Sequence, residues 1–305
     1  MIPLELREAL EARLGDRVRF QHPMAKLTSL RVGGPADAVV TPADREELAF
    51  VLDRCHRTGT PHCAIGGGFN TLALDGALEG VVIQLSRFRR LEQRPDGALR
   101  AEAGVSHSQI TRFCTKHGLA GLEFAAGIPG SVGGWLAMNA GIPKREMRDV
   151  VEEVEVFSPN GRGHRHLPKE SLRFEYRNLA GLAPGSVIVS ALFRVTPDSP
   201  AQVEARVREL LDRRARSQPL NVPSCGSVFK NPPGDHAGRL IEASGLKGFQ
   251  AGGAQISPVH ANFIANTGDA TAADVVTLIE TAQQKVHADS GARLRREVRI
   301  VGSPA

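Results

Sequence analysis

Two runs of glycine carry the first chemical signal in this 305-residue sequence. One is Gly66-Gly67-Gly68-Phe69-Asn70. The other is Gly127-Ile128-Pro129-Gly130-Ser131-Val132-Gly133-Gly134, continued by Trp135 through Gly141. A backbone without Cβ atoms can approach a phosphate closely, and a helix opening behind it adds a favourable dipole. Two such loops suit a pyrophosphate-bridged cofactor. Neither is a Walker loop, because no G-x-x-x-x-G-K-[ST] occurs, and the G-x-x-G-x-x-G spacing of 127–133 is not the Rossmann fingerprint. On spacing alone, phosphate cradles and ordinary tight turns stand as equal readings.

The other reactive types give less. Cysteines stand at 55, 63, 114 and 225 with no C-x-x-C pair, and a disulfide framework belongs to short secreted chains. Cys55 and Cys114 fall on the apolar faces of expected helices and read as core filler. Cys225 reads as a passive loop thiol. Ten histidines show no H-E-x-x-H motif and no i,i+4 pairing, so no metal site is expected.

Composition narrows the class. With 41% hydrophobic and 23% charged residues the chain is neither disordered nor collagen-like. No apolar stretch approaches the ~18 residues of a membrane span. The opening MIPLELREALEARLG carries acids early and reads as an amphipathic helix, not a signal peptide, which makes the cytoplasm the expected compartment. The net charge of +5 comes from scattered basic residues, and one Trp with one Tyr offers no stacking platform. Nucleic acid and membrane are therefore not expected partners; a small anionic ligand suits the surplus.

The elements that must position the loops alternate strand and helix. Strands are expected at 36–40, 62–65 and 81–85. A helix capped by Thr41-Pro42 buries Leu48, Val51, Leu52 and Cys55, and stops at Gly59. Ser106 caps a second helix, which presents Ile110, Phe113 and Cys114 and ends at Gly118. Strands at 150–157 and 187–195 are joined through the turn Pro159-Asn160-Gly161. The best boundary is 197–200, followed by a charged helix over 201–216. Beyond it come a helix at 237–244, a strand at 261–266, a helix at 271–287 opened by Thr271-x-x-Asp274, and a last strand at 298–301.

Several ordered segments together carry a resemblance. Arg31-Val32-Gly33-Gly34-Pro35, residues 65–70 and residues 126–141 are followed by Pro223-Ser224-Cys225-Gly226-Ser227-Val228-Phe229-Lys230-Asn231-Pro232. Then come Ala237-Gly238-Arg239-Leu240-Ile241-Glu242, Gly245-Leu246-Lys247-Gly248 and His260-Ala261-Asn262-Phe263. Over about residues 20–302 the chain resembles the UDP-N-acetylenolpyruvoylglucosamine reductase (MurB) family.

The resemblance implies an α+β fold: an FAD-binding domain of the PCMH/vanillyl-alcohol-oxidase type, made of two α/β subdomains, plus a C-terminal α+β substrate-binding domain. The expected division is a helical arm at 1–19, the flavin domain at 20–197 and the substrate domain at 198–305. It implies NADPH-dependent, FAD-mediated reduction of UDP-N-acetylglucosamine-enolpyruvate to UDP-N-acetylmuramate, a step of peptidoglycan synthesis, by a monomer. Ser227 matches the family's proton donor, and Arg177 and Glu297 its enolate-stabilising pair. FAD contacts are expected at Arg31, Gly66, Gly67, Gly68, Phe69, Asn70, Gly127, Pro129, Gly130, Ser131, Gly133, Gly134, Asn139, Ala140 and Gly141. Substrate contacts are expected at Tyr176, Lys230, Asn231, Lys247, Gln255, His260 and Asn262. The lone tyrosine is already taken up beside Arg177, so the chain looks like the family's short (type II) branch.

Two departures stand out. Ile142-Pro143-Lys144-Arg145-Glu146 replaces an expected glycine-containing turn ending in an acid, and Leu179 replaces a serine common after the arginine motif. Three rival readings remain at this point, the weakest a nucleic-acid binder supported only by the basic charge balance. An oxygen-using flavoenzyme of the same superfamily should lack the Ser227 segment, and a non-catalytic UDP-sugar binder would carry no flavin.

Overall fold

The alternation expected between residues 36 and 85 folds as one sheet. In the computed structural model, which describes all 305 residues, the strands Val18–Pro23, Pro35–Val40, Leu78–Gln84 and His62–Ile65 lie side by side in that order. His62–Ile65 runs parallel to Leu78–Gln84, with Ile65 opposite Gln84. Parallel neighbours need a crossover connection, and residues 66–77 supply it, while the helix Arg45–Arg57 links Pro35–Val40 to His62–Ile65. Its buried face is the expected one: Leu48, Val51, Leu52 and Cys55 pack with Val81 and Ile83, and with Leu6, Leu10 and Leu14 of the N-terminal helix Leu4–Leu14. The cap differs from expectation. Thr41 is still tied to Arg17 by its backbone N–H, so Asp44 caps instead, accepting from Glu47 N at 2.9 Å.

A second, fully antiparallel sheet runs in the order His164–Pro168, Val151–Phe157, Val187–Phe193, Leu99–Glu102, Leu91–Gln93. The two long strands pair as neighbours, but the turn at Pro159-Asn160-Gly161 does not join them. It leads instead into His164–Pro168, an exposed polar edge strand whose His and Arg residues read as loop in sequence. Packed on this sheet are the helix His107–His117, closed by the Ser106–Gln109 capping box and Gly118 at φ +61°, and the short helix Val132–Ala137.

The C-terminal residues form a third sheet, in the order Ser224–Ser227, Phe263–Asn266, Ala254–Ile256, Gln250–Ala251. The helix Ala272–Ser290 shares its core, through Val275, Leu278, Ile279 and Ala282. Its Thr271–Asp274 capping box is present in both directions, at 3.1 and 2.9 Å. No helix is long and apolar enough to cross a membrane.

Two compact units result, and neither is one continuous stretch. The first comprises Met1–Phe20, Ala38–Gly66 and Gly80–Arg214; the second comprises Gln21–Asp37, Gly67–Glu79 and Ala215–Ala305. This differs from the division read from sequence at three places. Gln21–Asp37 and Gly67–Glu79 cluster with the C-terminal part, and most of the helix Pro200–Ser217 clusters with the first. Non-local bonds are the cause. In the second unit Ser29 Oγ donates to Ser224 O at 2.6 Å, and Asn266 Nδ2 to Leu30 O at 3.0 Å. In the first, Val203 and Val207 pack on Ala126 while Arg206 pairs with Glu123.

A buried ion network braces the first unit. Glu155, 2% exposed, accepts from Arg45 Nε and Nη2 at 2.8 Å each, and from Ser190 Oγ at 2.6 Å. Burial pushes its pKa up, but the hydrogen bonds from Arg45 and Ser190 outweigh that and hold it at about 2. A depressed carboxylate pKa stabilises the fold above the group's ordinary range, and this contribution disappears as pH falls toward the folded value. Arg45→Met, which leaves the buried charge to Arg100 and Ser190 alone, should lower stability by up to about 3 kcal/mol in urea unfolding at neutral pH. The gap from the unaltered protein should narrow as pH falls toward about 2.

Candidate active site

Ser227 ends a strand whose pairing with Phe263–Asn266 slips between Ser224 and Ser227. The slip contains Gly226 at φ +73°, a conformation side-chain-bearing residues rarely adopt. Such bulges re-aim a side chain and commonly sit beside active sites. Past the bulge, Val228 N donates to Asn262 O at 2.8 Å and Val228 O accepts from Glu297 N at 2.8 Å. Lys230 N donates to Arg295 O at 2.8 Å. Ser227 and Glu297, both half-buried, therefore lie on adjoining backbone segments locked together at Val228.

The first glycine run joins the same patch. Asn70 Nδ2 donates to Glu297 O at 3.2 Å, Arg299 N to Asn70 O at 3.0 Å, and Ser29 N to Gly68 O at 3.2 Å. Gly68 has φ +66°, and a Cβ there would lie 2.2 Å from Leu27 O. Only glycine fits. Cys225 is buried here, and desolvation pushes its thiol up to about 12, so it is inert at neutral pH.

Two residues expected to touch substrate also bond within the protein, one of them buried and one exposed. Asn262, 4% exposed, uses its amide as a peptide mimic: Nδ2 donates to Phe229 O at 2.8 Å and Oδ1 accepts from Phe229 N at 2.9 Å. Asn231 Oδ1 accepts from Ala237 N at 3.0 Å, fixing the start of the helix Ala237–Ala243. The amide of Asn262 is committed to the backbone, whereas Asn231 is exposed and engages through Oδ1 alone. Lys247 pairs with Glu242 at 2.9 Å and Gln255 Nε2 donates to Gly248 O at 3.1 Å. Burial lowers the pKa of His260, whose Nδ1 accepts from Asn262 N at 3.2 Å; the ring is a neutral imidazole with its proton on Nε2.

In the first unit, Tyr176 and Arg177 form the two-residue tip of the hairpin Arg173–Glu175/Asn178–Ala180, with Glu175 opposite Asn178. Arg177 holds φ +58°, which costs a non-glycine residue roughly 1–2 kcal/mol. Strain of this kind persists where the surroundings over-determine the backbone, and it concentrates at functional sites. Arg177 Nη2 donates to Gly141 O at 3.1 Å, and its guanidinium lies 5.1 Å from the Tyr176 ring centroid.

Asn139, expected beside the flavin ring, is fully buried with both amide N–H groups engaged, to Glu175 O at 3.0 Å and Glu146 Oε2 at 2.8 Å. Its side chain orients the arginine hairpin and offers a cofactor nothing. The unexpected segment after it is a second hairpin, Gly141–Ile142/Arg145–Glu146. Pro143 followed by Lys144 at φ +72° fits a type II turn without glycine, and the acid expected at its end is Glu146.

The second glycine run combines packed and open positions. A Cβ on Gly127 would lie 2.9 Å from Leu211 Cδ2 and 3.0 Å from Arg214 Cδ, and one on Gly133 would lie 2.9 Å from Ala103 Cβ. Gly66 faces Ser131, whose Oγ would be 2.7 Å from its Cβ. At Gly130 and Gly134, by contrast, nothing lies nearer than 3.8 and 3.9 Å. This leaves bare backbone beside a serine hydroxyl, space that side chains would fill. Arg214, whose pKa burial lowers, flanks the loop. Glycine backbone, hydroxyl and cation are the donor set a cofactor diphosphate needs. Arg214 went unread in sequence. Its signal is an arginine continuing the apolar stripe Val203, Val207, Leu211 of the helix Pro200–Ser217.

Comparison with known proteins agrees on one family. Residues 36–166 match an FAD binding domain, and residues 218–301 match the C-terminal domain of UDP-N-acetylenolpyruvoylglucosamine reductase. The chain is 43% identical to the UDP-N-acetylenolpyruvoylglucosamine reductase of Geotalea uraniireducens and 45% identical to that of Geobacter metallireducens, covering 98% of both chains in each case. The crystal structure of UDP-N-acetylenolpyruvylglucosamine reductase from Thermus caldophilus superposes with a TM-score of 0.80 at 34% identity, covering 92% of this chain and 97% of that one.

The Asn262 clamp gives a direct expectation. Asn262→Ala leaves the buried N–H and C=O of Phe229 unpaired, which should destabilise by about 1–3 kcal/mol per group in urea unfolding. An unchanged midpoint would mean the clamp contributes nothing.

Proposed function

The chain belongs to the UDP-N-acetylenolpyruvoylglucosamine reductase family, and from that premise we propose which of its residues carry the reaction. It is an FAD-dependent oxidoreductase that converts UDP-N-acetylglucosamine-enolpyruvate to UDP-N-acetylmuramate for peptidoglycan synthesis, with NADPH as co-substrate. The chemistry supplied by bound FAD is two-electron transfer from NADPH to the enolpyruvyl double bond. Gly66, Gly130, Ser131 and Gly134 would hold the cofactor diphosphate. Arg31, residues 67–70, Ala140 and Gly141 would line the rest of its path.

Ser227 is the proton donor. Once the vinyl carbon has gained its hydrogen, the neighbouring carbon carries enolate character shared with the carboxylate. An alcohol is a feeble acid toward ordinary bases, yet such an enolate is basic enough to take its proton, and water restores the hydroxyl. Arg177 offers a fixed guanidinium fork to the carboxylate as its charge grows. Glu297 acts with it in stabilising the enolate. The observation that carries this reading is the backbone lock at Val228, which holds the Ser227 and Glu297 segments in fixed register. A hydroxyl held this way has little freedom left to lose on reaching the transition state.

Substrate binding falls to Tyr176, Lys230, Lys247, Gln255 and His260. The lysines supply cations for the diphosphate, and the remaining groups supply hydrogen bonds for uracil and the acetamido group. The absence of a second tyrosine supports the short branch of the family.

Ser227→Ala separates the two halves of the reaction. Bleaching of bound flavin by NADPH should be unchanged, while its reoxidation by the enolpyruvyl substrate should slow by about 10²–10⁴-fold in anaerobic stopped flow. Full-speed reoxidation would remove Ser227 from the chemistry.

A further inference from the structure

The exposed edge strand His164–Pro168 carries a group of side chains that the reductase chemistry does not use. His164 and His166 are two residues apart on a strand and so share one face. Across the ladder His166 is opposite Glu155 and His164 is opposite Phe157. One ligand atom from each of Glu155, His164 and His166 lies within 4.8 Å of the others. We propose that these three side chains form a binding site for a divalent transition-metal ion of the zinc or nickel type.

Each ligand is already oriented. The His164 ring stacks on Phe157 with centroids 5.3 Å apart. His166 Nδ1 is 2.7 Å from Glu153 Oε1, which fixes the tautomer with the proton on Nδ1 and leaves Nε2 as the basic nitrogen. A carboxylate behind a histidine in this way is the usual support of a metal-binding imidazole. Glu155 Oε2 takes the bonds from Arg45 Nη2, Arg100 and Ser190, whereas Oε1 receives Arg45 Nε and keeps a lone pair for an ion.

Charge permits a cation here despite the two arginines. Glu102, Glu153 and Glu155 set three carboxylates against Arg45 and Arg100. Zinc bonds of about 2.0–2.2 Å put tetrahedral ligand atoms about 3.4 Å apart, so the site closes by roughly an ångström of side-chain rotation. Two imidazoles and one carboxylate, with room for water, favour a borderline transition metal over magnesium or calcium. The i,i+2 spacing of the pair acquires meaning only on a strand.

Isothermal titration of the flavin-loaded protein with zinc chloride tests this, set beside His164→Ala, His166→Ala, the double variant and Glu153→Gln. Both histidines are exposed, so the alanine variants should keep native circular dichroism and flavin content. The unaltered protein should bind one zinc ion that each alanine variant loses, and Glu153→Gln should weaken binding by about 10–100-fold. Zinc binding that is absent from the unaltered protein, or equal in it and in the double variant, overturns the proposal.

Discussion

Parallel pairing of the last strand with an early one is the constraint on which the placement of the proposed catalytic Ser227 and Glu297 depends. Arg299–Val301 lies along Thr71–Ala73 in register. Glu297 sits two residues before the first strand and Asn70 one residue before the second, so the pairing sets the acid beside the end of the first glycine run. The bond from Asn70 Nδ2 to Glu297 O is its local signature. With Glu297 in place, its N–H fixes Val228 O, and through Val228 the position of Ser227. A serine, an acid and a glycine loop far apart in the chain are thereby held mainly by backbone hydrogen bonds, the groups least sensitive to side-chain motion.

Strain and buried amides do the corresponding work in the other unit. Arg177 is held at positive φ on a hairpin tip, and the neighbouring tip carries Lys144 at positive φ as well. Asn139 bonds to both hairpins, at Glu175 and Glu146. A satisfied buried amide of this kind has a single low-energy arrangement, because any other leaves polar groups unpaired. The hairpin that carries the guanidinium is thus held in one arrangement, as the role proposed for Arg177 would require.

Much of this was legible in sequence where the signal is local. The face of Arg45–Arg57, the Ser106 and Thr271 caps and the helix-ending Gly118 each depend on residues within one or two turns. The glycine runs and the Ser227 segment were legible because few residue types tolerate their geometry. Edges and non-local partners were hidden. His164–Pro168 is exposed and polar, so it lacks the apolar alternation that marks a strand. Asn139, Asn231 and Asn262 have the right chemistry for ligand contacts, and nothing in their spacing shows that backbone up to 36 residues away claims their amides. Residues 67–70 read as part of the flavin half because their partners, Ser29 and Arg299, lie far off in sequence.

The most direct measurement is an anaerobic visible spectrum of the purified, flavin-loaded protein, titrated first with NADPH and then with UDP-N-acetylglucosamine-enolpyruvate. Flavin bands that bleach in the first step and return in the second, without oxygen, are the predicted result. Bands that return only on admitting oxygen, or a protein that stays colourless after incubation with FAD, would contradict the account.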